Sequence, residues 1–159
     1  MKSHTKYIEE FAMQAIEKTG CTQPPVPVEK VAEAMGLTVV PFAFHNKISG
    51  LLKKEEEVIG VNKTHHPLRQ RFTIAHELGH FLLGHGMGEE HQEEMIDDVF
   101  DRPQPQEREA NLFASSLLMP EDWIKKYVKK NGMEIESLAK TFEVSKQAVT
   151  IRLLQLKLI

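Results

Sequence analysis

Residues 71–85 read RFTIAHELGHFLLGH. His76 and His80 stand four apart, so on a helix they project about 40° from one another and can grip a single ion from the same side. Glu77 falls about 100° from His76 and about 60° from His80, beside such an ion rather than on it. There a carboxylate can take a proton from an activated water. The rival reading is a helix that merely carries histidines. The chain is rich in His and Glu, so the four-residue pattern does not decide and its surroundings must.

Those surroundings separate two faces. Ile74, Leu78, Phe81 and Leu82 lie opposite the midpoint of the two histidines, which gives the helix an apolar stripe and a distinct polar side. Gly79, a poor helix former, suits the close approach of another segment. A catalytic zinc wants a third protein ligand and one open position. The longer pattern that continues with Gly and His is absent, since those places hold Leu83 and Gly86. His85 lies nearly opposite His76 on a continuing helix and cannot reach the same ion unless that helix has already ended.

Candidates for the third ligand therefore lie downstream, in EREANLFASSLLM, a helix stopped at Pro120. Its core-facing arc is Ala110, Phe113, Ala114, Leu117 and Leu118. Glu107 falls about 50° from the centre of that arc and Glu109 about 110°, so Glu107 points inward and Glu109 sideways. A buried carboxylate needs a partner: a metal, or an ordinary ion pair with Arg108 or Arg71. Asn111, one turn after Glu107, is placed to hydrogen-bond a ligand histidine from outside.

RFTIAHELGH followed after a loop by EREANLFASSLLMP, with GLLKKEEEVIGVN before and FEVSKQAVTIRLLQLKLI at the end, resembles the ImmA/IrrE family of metallopeptidases from about Ile48 onward. The resemblance implies a gluzincin-type zinc peptidase, with His76, His80 and Glu107 as metal ligands and Glu77 as general base. It also implies a substrate class, a helix-turn-helix repressor whose cleavage releases the genes it silences. Lys157 departs from the pattern, standing where the family often has Gly, which puts the turn there in question. In such a site zinc lowers the pKa of its water and polarises the scissile carbonyl while Glu77 moves the proton. A donor for the oxyanion is expected, with Tyr127, His65, His66, His85, His91 and Arg108 available, each of which also has an ordinary surface or capping role open to it. An extended substrate could pair with a sheet edge, and EVIGVN just before the metal helix is the nominated strand, with a plain core strand as the alternative.

The elements that must position these residues follow from periodicity. Ile8, Phe11, Ala12, Ala15 and Ile16 predict an amphipathic helix over about 5–18, closed by Gly20. After TQPPVP a short helix runs from Val28 to Met35, then LTVVPFAF reads as a strand, and ISGLLKK and EVIGVN as a hairpin. The metal helix is expected over about 67–85. Between the two ligand helices lie seven acidic residues, Glu89, Glu90, Glu93, Glu94, Asp97, Asp98 and Asp101, read as a solvated loop or frayed helix. The order of elements predicts an α+β fold, a zincin-like core whose small antiparallel or mixed sheet packs on helices. Residues 1–120 form the zinc metallopeptidase domain, and 121–159 a helix-turn-helix-like segment packed on it.

In that segment a turn at Glu143 to Ser145 precedes a helix capped by Ser145, with Val149, Leu153 and Leu156 inward. In a DNA reader Lys146, Gln147, Thr150 and Arg152 would enter the major groove. The segment's net charge of +3, against −6 for residues 1–120, is small for that task. Two rivals to a peptidase therefore stand: a DNA-binding regulator with a structural or vestigial metal site, and a module that displaces a repressor without cutting it. With 159 residues and 41% hydrophobic content, one soluble globule is expected. The single cysteine, Cys21, cannot form an internal disulfide. No stretch approaches the roughly 18 apolar residues of a membrane helix, and the N-terminus lacks a signal-peptide core, so the expected place is the cytoplasm.

Overall fold

The computed structural model describes residues 3–43, 45–85, 90–94 and 105–159. In chain order the elements are α1 (His4–Glu17), α2 (Val28–Ala34), β1 (Thr38–Phe42), β2 (Ile48–Lys53), β3 (Val58–Asn62), α3 (Pro67–Leu82), β4 (Glu90–Glu94), α4 (Pro105–Leu118), α5 (Glu121–Asn131), α6 (Ile135–Phe142) and α7 (Lys146–Gln155). This is an α+β arrangement with a small mixed sheet. None of the described helices is long and apolar enough to cross a membrane.

The strands lie in the order β1-β3-β2-β4, with β1 parallel to β3 and the other pairs antiparallel. Pro41, which cannot donate to a ladder, is accommodated because β1 is an edge strand. Two expectations are corrected here. The nominated substrate edge, residues 57–62, is not an edge: β3 is bonded on both sides, by β1 and by β2, and has no row of backbone groups left to offer. And Glu90–Glu94, expected as loop or frayed helix, is an antiparallel partner of β2, because an open strand edge supplies hydrogen bonds that composition alone does not foresee. The other acidic residues of that stretch, Glu89, Asp97, Asp98 and Asp101, lie outside the described residues.

Chain punctuation places α3 well. Pro67 occupies its first turn and the His66 imidazole caps it, accepting the Leu68 N–H at 3.0 Å. Unlike the two-faced helix expected, α3 is buried all round from Thr73 to His80. Ile74 and Leu78 join the core, while the opposite side meets α4. Gly79 permits that approach: a Cβ there would come within 3.0 Å of the Phe113 ring, so the neighbour it accommodates is a side chain rather than a backbone segment.

The C-terminal helices share this core. Ile124, Leu138, Phe142, Val149 and Leu153 are buried in one cluster with Ile8, Leu78 and Leu117. Arg71 of α3 reaches across to them, donating to the carbonyls of Glu143, Phe142 and Val26 at 3.0, 3.3 and 2.9 Å. Glu143 ends α6 in the left-handed conformation, and Ser145 caps α7 through the Ala148 N–H at 3.0 Å. The groove-reading role set out for Arg152 fails on burial. Its side chain is 1% exposed, paired with Glu9 of α1 and bonded to the Met119 carbonyl at 2.8 Å, so it cannot reach a nucleic acid. Lys157 adopts φ +58°, and the turn that Gly would favour forms around it, with the Leu158 N–H on the Leu153 carbonyl at 2.9 Å.

Candidate metal centre

Among the described residues one group of three metal-ligating side chains converges: His76, His80 and Glu107, with donor atoms all within 4.8 Å of one another. Nε2 of His76 lies 3.0 Å from one Glu107 oxygen and Nε2 of His80 lies 2.9 Å from the other. The two Nε2 atoms are 3.1 Å apart, and the rings meet edge to face at 4.7 Å between centroids. Helical phase brings the histidines to one side of α3. The packing of α4 across α3 then brings in a carboxylate from 31 residues away. Arg71, one alternative partner for Glu107, is instead spent on the α6 terminus.

The outer nitrogens are held as well. Asn111 Oδ1 sits 2.8 Å from His76 Nδ1 and, being an acceptor, places a proton on that nitrogen and a lone pair on Nε2. Burial works to raise the pKa of Glu107, but the facing imidazoles of His76 and His80 outweigh it and hold the carboxylate well below its ordinary range. An ionised carboxylate and two imidazole nitrogens thus face one point, with both histidines almost fully buried. A proton on an imidazole satisfies the carboxylate alone, whereas a divalent cation satisfies all three donors together. The donor set, two imidazoles and one carboxylate, fits zinc.

Glu77 is fully buried beside this group, on the side of α3 that faces β2. Gly50 of β2 makes the fit possible. A Cβ there would lie 2.4 Å from Thr73 Cγ2, 3.0 Å from the Gly60 carbonyl oxygen and 3.7 Å from Glu77 Cγ. Gly50→Ala should therefore push α3 off the sheet, lowering stability by about 1–3 kcal/mol. Urea unfolding of the two proteins measures it, and an unchanged midpoint would show that this contact is loose.

The oxyanion candidates scatter. The Tyr127 hydroxyl takes a bond from Thr141, and the His65 ring meets the Asn46 carbonyl at 2.8 Å. His66 is the α3 cap, Arg108 is exposed, and the His91 side chain lies outside the described residues. His85 was weighed as an oxyanion donor and Glu109 read as pointing sideways, but neither was foreseen as a support for a ligand-candidate histidine, yet His85 Nδ1 lies 2.8 Å from His80 Nδ1 and His85 Nε2 lies 2.9 Å from Glu109 Oε1. The missed signal was Gly84, a helix-stop residue in the left-handed conformation at φ +66°, which ends α3 before His85 and turns its ring back.

Residues 32–154 match the family described as the IrrE N-terminal-like domain, Peptidase_M78. The chain is 33% identical over 105 residues to the radiation response metalloprotease IrrE of Deinococcus radiodurans, an alignment covering 60% of this chain and 30% of that protein. It is 28% identical over 130 residues to the uncharacterized immunity region protein 2 of Bacillus phage phi105, covering 80% and 78%. The IrrE of Deinococcus deserti is 30% identical over 122 residues, covering 71% and 40%. The chain thus spans less than half the length of either IrrE protein. In three dimensions it is similar to a Mycobacterium tuberculosis transcriptional regulator, with a TM-score of 0.68 at 17% identity, over 93% of this chain and 46% of that one. That likeness shows the fold.

Proposed function

The chain belongs to the IrrE N-terminal-like peptidase family, and from that premise we propose that it is a zinc-dependent endopeptidase that cuts a helix-turn-helix repressor. The observation that carries the reading is the convergence of His76 Nε2, His80 Nε2 and the Glu107 carboxylate, within 4.8 Å, beside a fully buried Glu77. In this reading residues 1–120 are the zincin-like peptidase unit and 121–159 a helix-turn-helix-like segment that closes it. The relative named for a phage immunity region favours a regulator as substrate.

His76, His80 and Glu107 would hold the metal, and Asn111 keeps the His76 ring turned toward it. When bound, zinc would polarise the scissile carbonyl and make water acidic enough to attack near neutral pH. Glu77 takes a proton from the water as its oxygen joins the carbonyl carbon. It then returns that proton to the amide nitrogen as the C–N bond breaks, so the same carboxylate serves as base and acid and ends unchanged. Burial of the surrounding side chains keeps bulk water from competing for these hydrogen bonds.

Elemental analysis of the purified chain is expected to find about one zinc per molecule, with a melting temperature that falls on chelation. Incubation with helix-turn-helix repressors should yield two defined fragments by mass spectrometry, stopped by chelator and restored by zinc. A chain that takes up no zinc from excess metal is not this enzyme. The alternative of direct DNA reading loses support from the burial of Arg152 against Glu9.

A further inference from the structure

Beyond the three ligands and the base, a second row of side chains reaches the site from behind. His85 is 5% exposed, and its backbone is tied on both sides, the N–H to the His80 carbonyl at 3.2 Å and the carbonyl to the Lys54 ammonium. Its ring stands 5.0 Å from that of His80 at 68°, and among the described residues each of its nitrogens has a partner: Nδ1 meets His80 Nδ1 at 2.8 Å and Nε2 meets Glu109 Oε1 at 2.9 Å. The other Glu109 oxygen receives His4 of α1.

For a neutral His85 these contacts admit one order of protons. An ionised carboxylate only accepts, so His85 Nε2 must carry the proton shared with Glu109. A neutral His85 protonated at Nε2 has a lone pair at Nδ1, and this must accept the Nδ1–H of His80. His80 is then left with its own Nε2 facing His76 and Glu107.

We infer that Glu109 and His85 are a positioning pair which sets the tautomer and direction of His80, as Asn111 does for His76. The inference rests on the peptidase reading, because it assigns the pair a purpose at that same centre. It gives each ligand histidine its own support from a different part of the chain: α4 directly for His76, and the residue behind the Gly84 turn for His80. It also extends the site to α1, since His4 and His85 hold Glu109 between them.

Two measurements test it. Imidazole 15N spectra of the zinc-loaded chain are expected to show His85 protonated at Nε2 alone and the His80 Nδ1 proton shifted downfield by its bond. His85 carrying its proton on Nδ1 would overturn the pair. Chelator competition should show zinc held about 10–100-fold more weakly by His85→Phe, which keeps the ring volume and removes the acceptor. His85→Gln, whose amide oxygen can accept the same proton, should recover most of that loss; a role in packing alone predicts the opposite ranking. Equal zinc affinity in wild type and His85→Phe also sinks the pair. Should His85→Phe fail to fold, the wild-type spectrum and His85→Gln still decide. The His85 tautomer can be read without metal too, so a chain that took up no zinc would end the peptidase reading while the pair stood or fell on its own spectrum.

Discussion

Glu77→Gln is expected to keep one zinc per chain and the wild-type melting temperature, and to lose about 10²–10⁴-fold in repressor cleavage. The amide matches the carboxylate in shape, so the packing against β2 at Gly50 survives. What disappears is the only function a base supplies: Gln cannot take the proton of the attacking water, nor hand it to the leaving nitrogen. The same variant separates the peptidase from its rivals. A module that displaces a repressor without cutting would still relieve repression with Gln at 77, and a structural zinc site, closed by its protein ligands, would need no base there at all. Single-turnover cleavage beside a de-repression assay makes the comparison. Full de-repression without fragments would replace the peptidase reading with the displacement one.

Glu107→Ala should abolish stoichiometric zinc. In the proposed site the carboxylate is the one ligand supplied by α4, and without it α3 presents two imidazoles that cannot complete a three-ligand site. Ligand binding stabilises by mass action, about 2.7 kcal/mol when free zinc is at 100 times its dissociation constant, so the variant should also lose the zinc-dependent rise in melting temperature. Glu109→Ala is the control on the same helix. Its carboxylate faces His4 and His85 rather than the ligand cluster, so it should weaken zinc without removing it. Metal retained by Glu107→Ala but absent from Glu109→Ala would mean that the ligands are wrongly assigned, and with them the mechanism.

Much of the site was legible because its geometry is local. Four residues along a helix decide that His76 and His80 share a side, and the same counting turned Glu107 inward and set Asn111 one turn beyond it. Glu109 was placed sideways on the same reckoning, and sideways is where His85 and His4 meet it. The phase of a helix says where a side chain points. It does not say what will be waiting there.

What escaped was non-local. Residues 57–62 looked like a strand just before α3, and 58–62 form one, but whether a strand lies at an edge depends on β1 and β2, not on its own residues. The acidic stretch at 90–94 has the composition of a loop and becomes a strand because β2 has an edge to fill. Arg152 sits on a helix in a helix-turn-helix pattern, yet burial beside Glu9 of α1 decides what it can touch.

By itself, then, the sequence determined pieces with short-range causes: most of the helices, the Ser145 cap, the stop at Pro120, and the common direction of two histidines. Backbone hydrogen bonds in a helix join residues four apart, so their consequences can be counted along the chain. Only the tertiary structure decided which strand lies inside the sheet, that α4 carries a carboxylate to α3, and that a left-handed Gly84 folds His85 back onto His80. Each of those is a meeting of groups from separate segments, and it is the burial of a shared core, not any local preference, that fixes which segments meet.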